Sequence, residues 1–427
     1  MFPGRYHTGV VIARGCQRLP LPEIAAGLFL VLAGCSGADG SGTTLTDSSG
    51  STEAGSLSSG NSSSGPSTSD DGGTSATSSG AGMTETSETG STTGGEDAER
   101  RELLLVGGLD HFCRLVPLTG AVLCWGSNDH GQLGVDGVDA ASTEDPAEVA
   151  GLPETPVRLF PGAFATCGQM ADGTVWCWGD GGAPAEAPDL KLAIHVDLGR
   201  NFGCQIDADG KMLCWGSDRS GQIGDGAPHG EGTVVDVPTT PLGLEGGVRH
   251  FTTATHQYAW GYACGIDTHG GTYCWGTNDL AALGQGKGGP PEPAPLSLVV
   301  PAAIDLSSVH DRTCALTETE EVWCWGGLQD LVNGGLRKGT ERPVQVPLDR
   351  PHPVQVATGG AEACALFEDG AVGCWWGSDD GQYVEPFTAG AVSVAGSVFE
   401  ACALLEDDTV ACWEYTDPNT LETQPAP

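Results

Sequence analysis

Short apolar segments recur at regular distances from about residue 101 to the end of the chain. In six places an aliphatic residue stands ten positions before the first of two cysteines: Leu103, Val157, Ile194, Ile304, Val354 and Val392. Apolar and polar residues alternate from these positions onward, as in residues 354–357, which is the period of a β-strand. Helical periodicity is missing throughout this part of the chain. We therefore predict an all-β structure, with a short strand beginning at each of these positions.

Each of these strands is followed by a predicted β-hairpin. Its tip is Asp-Gly in three copies, at residues 172–173, 209–210 and 369–370, and this dipeptide favours tight hairpin turns. A Trp follows the second cysteine of every hairpin, at Trp125, Trp178, Trp215, Trp275, Trp325, Trp375 and Trp413. A fourth strand is predicted after this Trp, for example at residues 296–300 and 342–346. The Trp is expected to lie in the core between units.

Seven such units follow one another. Their second cysteines are 53, 37, 60, 50, 50 and 38 residues apart, and repeats of this length are typical of propellers and solenoids. Four antiparallel strands per unit favour a seven-bladed β-propeller. A solenoid is the alternative architecture.

The cysteines predict one disulfide within the hairpin of each blade. Opposite residues of an antiparallel pair are close enough to be bridged. The predicted pairs are Cys113–Cys124, Cys167–Cys177, Cys204–Cys214, Cys264–Cys274, Cys314–Cys324, Cys364–Cys374 and Cys402–Cys412. The first pair has one additional intervening residue, which a bulge or a longer tip would absorb. Fourteen orderly cysteines indicate an oxidising compartment, and without Cys-x-x-Cys spacing they do not indicate zinc.

The N-terminus has the features of a bacterial export signal. Arginines precede the apolar segment 24–32, and Leu-Ala-Gly ends at Cys35. This ending resembles a lipobox, which predicts a signal peptide over residues 1–34 and a lipid on Cys35; the alternative is a plain signal peptide. We expect an exported protein that is lipid-anchored to the outer membrane or cell surface.

Residues 35–100 comprise the lipidated Cys35 and a segment rich in Ser, Thr and Gly. From residue 36 onward this segment contains no aromatic residue, Val, Ile or further Cys. It cannot bury enough apolar surface to offset its conformational entropy, so we predict a disordered tether. The propeller would then occupy residues 101–427.

The charge of the chain limits its partners. Lys and Arg number 18 against 56 Asp and Glu, a net charge of −38, which excludes nucleic-acid binding through a basic surface. The sequence contains no hydrolase or phosphate-binding motif, and its histidines lack metal-ligand spacing. We therefore expect no cofactor and no metal.

An irregularity in the fourth unit indicates a recognition surface. Val248 stands sixteen residues before Cys264 instead of ten, and aromatic residues occupy the insertion. Insertions between blade strands lie on a propeller surface, where aromatic side chains serve as anchors for partners. The alternative is a loop folded back on its own blade. The candidate binding residues are His256, Tyr258, Trp260 and Tyr262, with Asp129 and His130 in another loop and Asp218, Arg219, Asp279 and Asp380 as weaker candidates.

The repeat resembles the regulator of chromosome condensation repeat family. The resemblance is carried by Cys-Ala-Leu, Asp-Gly-x-Val-x-Cys-Trp and Gly-Gln-Leu-Gly, for example at residues 364–375 and 131–134, and extends over residues 101–427. Together with the lipobox and tether, it resembles secreted myxobacterial members. The family's His two residues before the first cysteine is present here only as His111.

The resemblance implies protein binding through a propeller face, which is the common property of a functionally diverse family. We expect a non-catalytic, monomeric scaffold for an unknown protein or glycan at the cell surface, with a membrane attachment through lipid and no nucleic acid. The alternatives are a secreted, hydrolase-like propeller enzyme and a carbohydrate-binding module. A carboxylate pair at a channel mouth would favour the enzyme, and an apolar-rimmed face would favour binding.

Overall fold

The computed structural model describes residues 104–135, 142–227, 230, 232–255, 261–329, 336–360, 362–376, 382–414 and 417–424. These residues form seven antiparallel sheets of four strands each, together with one 3-10 helix at Pro188–Leu190. Within them no helix has the length and apolar character needed to cross a bilayer. The prediction of a seven-bladed all-β propeller is confirmed, and the solenoid alternative is wrong.

Every sheet is one blade and takes its four strands in chain order. Blades 1 to 4 comprise β1 Leu105–Gly107, β2 His111–Leu115, β3 Val122–Gly126 and β4 Thr143–Glu148; β5 Arg158–Phe160, β6 Ala165–Gln169, β7 Val175–Gly179 and β8 Gly182–Glu186; β9 His195–Leu198, β10 Phe202–Ile206, β11 Met212–Ser217 and β12 Val234–Thr239; and β13 Val248–Thr255, β14 Gly261–Asp267, β15 Thr272–Gly276 and β16 Glu292–Ser297. Blades 5 to 7 comprise β17 Ala303–Val309, β18 Arg312–Thr317, β19 Val322–Gln329 and β20 Leu336–Gln345; β21 Pro353–Thr358, β22 Glu362–Phe367, β23 Val372–Trp376 and β24 Gln382–Phe387; and β25 Ala391–Gly396, β26 Glu400–Leu405, β27 Val410–Glu414 and β28 Asp417–Gln424.

The blades close into a ring through their first strands. Each first strand contacts the first strand of the next blade, and β25 of blade 7 contacts β1 of blade 1. The C-terminal segment Asp417–Gln424 forms the outer strand of blade 7. Blade 7 therefore takes all four strands from residues 391–424. The ring closes through apolar packing between blades 1 and 7 and through the Val398 N–H, which donates to the Leu109 carbonyl at 2.9 Å.

The second and third strands of every blade form the predicted disulfide-linked hairpin. The two cysteines stand directly opposite each other, with Cα atoms 4.0 to 4.1 Å apart in all seven pairs. The register between β2 and β3 is unbroken, so the additional residue between Cys113 and Cys124 lies in a longer hairpin tip. One disulfide per blade is confirmed.

The Trp after each second cysteine packs against the preceding blade. Trp178 lies in the apolar cluster of blade 1, and Trp125 lies in that of blade 7, across the ring closure. The last Gly of Gly-Gln-Leu-Gly makes room for this ring: at Gly134, where φ is +63°, an added Cβ would lie 2.7 Å from the Trp178 ring. The motif therefore serves the junction between blades, and the prediction of a Trp core is confirmed.

The fourth strands begin earlier than their apolar residues indicated. β16 spans Glu292–Ser297 instead of residues 296–300, and β20 spans Leu336–Gln345 instead of residues 342–346. In the first case Leu298 is buried in the connection after the strand and Val299 is 92% exposed. The apolar run therefore marks the return to the next blade, because an outer strand exposed at the blade edge carries no strong apolar pattern.

Candidate functional site

Strand direction gives the propeller two faces. The loops between first and second strands and between third and fourth strands leave the same end of each blade, which we call the loop face. The hairpin tips and the connections between blades leave the opposite end, which we call the tip face. Both assignments follow from the antiparallel order of the four strands.

The seven inner strands surround a central cavity of about 170 Å³. Its lining includes His195, Asp197, His250, Asp305 and Gln355, and all seven blades contribute residues. Ligand sites for small molecules commonly enclose about 300–1,000 Å³. The cavity is smaller than this range, so we expect a folded protein partner to bind at one of the two faces.

Polar side chains in this cavity join neighbouring blades. The Asp197 carboxylate accepts the Thr253 N–H at 2.7 Å, the Asp305 carboxylate accepts the Val356 N–H at 3.1 Å, and the Gln355 amide oxygen accepts the Val394 N–H at 3.0 Å. Each acceptor bonds to the inner strand of the next blade. Inner strands are sheet edges with unpaired backbone groups, so these side chains replace the missing ladder.

The buried ionisable groups of the cavity are shifted toward their neutral forms. Burial raises the pKa of Asp197 to about 7 and that of Asp305 to about 6. Burial likewise lowers the pKa of His195 to about 3 and that of His250 to about 4. Because both carboxylates accept backbone hydrogen bonds, they are engaged in holding blades together.

Of the predicted binding residues, Asp129 and His130 lie on the loop face. Asp129 is exposed there, and the ring of His130 stacks on Phe164 of blade 2 with centroids 4.0 Å apart. Arg200 of blade 3 places its guanidinium 5.1 Å from the centre of the same Phe164 ring. His256, Tyr258 and Trp260 lie outside the described residues. His130 thus belongs to a stack that connects three blades.

Two of the predicted site residues are buried and make hydrogen bonds inside the propeller. Tyr262 is fully buried and its hydroxyl bonds Thr313 of the next blade at 3.0 Å, so its assignment to a recognition surface is wrong. Burial also raises the pKa of this phenol above its usual value. Asp218 is buried as well and accepts the Ile223 N–H at 2.9 Å, which shapes the loop around Gly-Gln-Ile-Gly.

One carboxylate lies beside a cysteine pair. Glu362, Cys364 and Cys374 are close enough together to resemble metal ligands, but the two sulfurs are joined in a disulfide. The Glu362 carboxylate instead accepts the indole N–H of Trp413 from blade 7 at 3.0 Å. This cluster is therefore part of the packing between blades 6 and 7.

The pattern that predicted the inner strands also marks an exposed surface, which the sequence reading missed. The aliphatic residue ten positions before the first cysteine is 54% exposed at Val157, 46% at Ile194, 44% at Ile304 and 39% at Val354. In blades 5 and 6 this residue is the additional residue of a β-bulge. We call these four residues the aliphatic rim, because they stand at the tip-face end of the inner strands. In the sequence, this surface is marked by an aliphatic residue that directly precedes a polar residue whose side chain bonds to the next blade.

Comparisons with known proteins identify the repeat. The profile of the Regulator of chromosome condensation (RCC1) repeat matches residues 119–161 and 193–222. The human E3 ubiquitin-protein ligase HERC2 is 26% identical over 198 residues, which cover 42% of this chain and 4% of HERC2. The chain thus matches a very small part of that relative.

Solved propellers have the same fold. Prp20p from Saccharomyces cerevisiae superposes with a TM-score of 0.54 at 17% identity, over 69% of this chain and 80% of Prp20p. Human WBSCR16 superposes with a TM-score of 0.55 at 16% identity, over 69% of this chain and 88% of WBSCR16. At these identities the likeness concerns the fold.

Proposed function

We propose that this chain, a seven-bladed propeller of regulator of chromosome condensation repeats, is a non-catalytic scaffold that binds another protein at the cell surface while a lipid on Cys35 holds it to the membrane. The fold is consistent with protein binding. The structure of Prp20p was studied together with that protein's binding to Gsp1p and histones. The strongly acidic composition and export signal of this chain favour a different partner in a different place.

The aliphatic rim is the observation that carries the proposal. Exposed apolar residues clustered on one face are characteristic of interaction sites, whereas single exposed residues are ordinary. An enzyme at the channel would need carboxylates available to substrate. Asp197 and Asp305 instead accept backbone N–H groups of the next blade, and the cavity is small.

The partner is to be identified by cross-linking on intact cells, followed by reconstitution of the pair from purified proteins. We expect a binary complex that forms without turnover of either protein. Failure of every cross-linked candidate to bind the purified propeller would contradict the proposal.

The lipid anchor has its own test, which uses the full chain. Cys35→Ser should abolish lipid labelling and move the protein from the membrane fraction to the soluble fraction, because no acyl chain can then be attached. Cys16→Ser is the matched control, since residue 16 would leave with the signal peptide. Retention of the Cys35→Ser protein in membranes would exclude the lipid anchor.

A further inference from the structure

The tip face carries an acidic ring around the aliphatic rim. The hairpin tips of blades 2, 3, 5, 6 and 7 expose carboxylates, namely Asp172, Asp209, Glu318, Glu320, Glu368, Asp369, Glu406 and Asp407. The second and third strands stand outward of the inner strand in each blade, so their tips lie around the rim residues. We call this set the acidic ring.

Some carboxylates of the acidic ring are paired with cations, including Glu320 with His352 at 2.9 Å, and Lys191 and Lys211 are exposed on the same face. Arg249 contacts Glu318 at 3.3 Å and also donates to the Ala303 carbonyl. Arg350 pairs with both Asp369 and Glu385. The remaining carboxylates leave this face negatively charged.

The tip face also holds most of the large apolar side chains that are exposed among the described residues. Besides the rim, Leu118, Leu192 and Val299 are exposed on hairpin tips or connections between blades. At the loop-face end, by comparison, Val234 and Phe399 are exposed. An apolar centre within a charged border is the usual anatomy of a protein interface.

Packing does not explain why the rim is aliphatic. The rim side chains are outside the cavity lining and are about half exposed. Elsewhere the repeats diverge freely: the position two residues before the first cysteine is His111, Ala165, Phe202, Tyr262, Arg312, Glu362 or Glu400. The matching position is Arg249 in blade 4, but it is aliphatic and exposed in blades 2, 3, 5 and 6, which points to a requirement outside the ring.

We propose that the tip face docks a cationic polypeptide segment whose aliphatic tip seats on the rim while flanking Lys or Arg side chains meet the acidic ring. This inference rests on the proposed protein-binding function and specifies its face and its partner chemistry. Desolvation of the aliphatic tip supplies affinity, and complementary charge supplies specificity and a fast association rate.

Charge selects this occupant over three others. A second copy would bring two acidic rings together, and an anionic lipid surface would be repelled in the same way. The chain's own residues 36–100 carry acids throughout, no Lys, and no Val or Ile. That segment matches neither the rim nor the acidic ring.

The test uses fluorescent cyclic peptides with a Val-Ile-Leu tip flanked by lysines, titrated onto the full-length protein. We expect saturable binding that weakens with added salt and falls about tenfold for the double variant Ile304→Asp/Val354→Asp, a loss of ~1.4 kcal/mol. Phe399→Asp is the matched control, because it adds the same charge at an exposed apolar residue of the opposite face. It should leave binding unchanged, and disulfide mapping should show that all variants are folded.

Several results would overturn the inference. They are no binding by the wild type, equal binding of a peptide with a serine tip, equal loss in Phe399→Asp, and self-association that the double variant abolishes. If the cross-linked cellular partner still binds the double variant but not Phe399→Asp, the proposed function stands and the tip-face inference fails.

Discussion

Glu362 shows how a single residue couples two blades. Its carboxyl group is buried, accepts the Trp413 indole N–H at 3.0 Å, and has a pKa that burial raises to about 8. It is therefore protonated in most molecules at neutral pH. At the matching position of blade 1, His111 bonds the Thr166 hydroxyl at 2.8 Å, so Glu362 makes a buried hydrogen bond to the next blade with a different side chain.

We predict that Glu362→Ala lowers the free energy of unfolding by about 1–3 kcal/mol, because it leaves the indole N–H of Trp413 buried without an acceptor. Glu362→Gln keeps an acceptor oxygen and should change stability by less than about 0.5 kcal/mol. Urea denaturation at neutral pH measures both. Equal losses in the two variants would contradict this role.

Asp197 gives the propeller a predictable pH dependence. Its pKa is raised from 3.8 to about 7 on folding, chiefly by burial. The folded state thus binds this proton more tightly than the unfolded chain does. The stability that this proton contributes is fully present below the unfolded pKa and is lost as the pH rises through about 7.

Asp197→Asn removes the ionisation and keeps an oxygen for the Thr253 N–H. We predict little effect on stability at about pH 4 and a gain on the order of 2 kcal/mol at about pH 8. Denaturation midpoints at the two values measure the difference, with the exposed Asp209→Asn of the same blade as control. A variant that is destabilised more at the higher pH would refute the account.

At the scale of strands and blades, the Trp after each second cysteine determines how blades pack. Trp325 is fully buried against blade 4, whereas Trp323 lies two residues earlier on β19 and is half-buried. Both residues stand on the same strand and have the same strand propensity. A comparison of their variants therefore isolates the effect of burial between blades.

Trp325→Ala should lower the free energy of unfolding by about 3–5 kcal/mol, since it opens a cavity between two blades. Trp323→Ala should cost clearly less, because that ring is partly in water and loses one hydrogen bond to Glu321. Thermal denaturation of the two variants compares them directly. Similar losses would show that packing between blades is not centred on this ring.

The hairpins and inner strands could be predicted from the sequence because their signals are strong. Two cysteines at fixed spacing can stand opposite each other in only one register, and an aliphatic residue stands at or next to the first position of each inner strand. The exposure of Ile304 and Val354 could not be predicted this way. An aliphatic residue at a strand start signals burial by default, and the bulge that turns it outward leaves no mark in composition.

The outer strands were misplaced because apolar residues are a poor guide at a blade edge. A better signal is proline: Pro146, Pro184, Pro238, Pro293, Pro343, Pro386 and Pro418 place at least one in each outer strand. Proline cannot donate a ladder hydrogen bond, so it is compatible with an edge strand and hinders pairing with another sheet. This pattern favours the expected monomer.

The position of loops on a face followed from strand order, but their side-chain environment did not. Tyr262 is adjacent to the aromatic insertion in sequence, yet β14 begins at Gly261 and carries Tyr262 into the core. His130 stacks on Phe164 across a blade boundary. Contacts between neighbouring blades join residues more than thirty positions apart in the sequence, so no local sequence pattern predicts them.

At the scale of the whole molecule, ring closure and the disulfides within the hairpins both stabilise the folded propeller. Each blade's Trp packs on the previous blade, and seven disulfides each close a loop of ten or eleven residues. A cross-link of that size stabilises by roughly 3 kcal/mol through the unfolded chain. Such a ring suits an exported protein, and its acidic charge directs it toward cationic partners.

The central claim is an exported, lipid-anchored ring with a disulfide in every blade. Mass spectrometry of the mature protein, digested without reduction from its native envelope, tests it most directly. We predict seven peptide pairs that link each hairpin to itself and an N-terminal peptide that begins at a lipid-modified Cys35. Free thiols, links between different hairpins, or an unmodified N-terminus upstream of Cys35 would contradict the account.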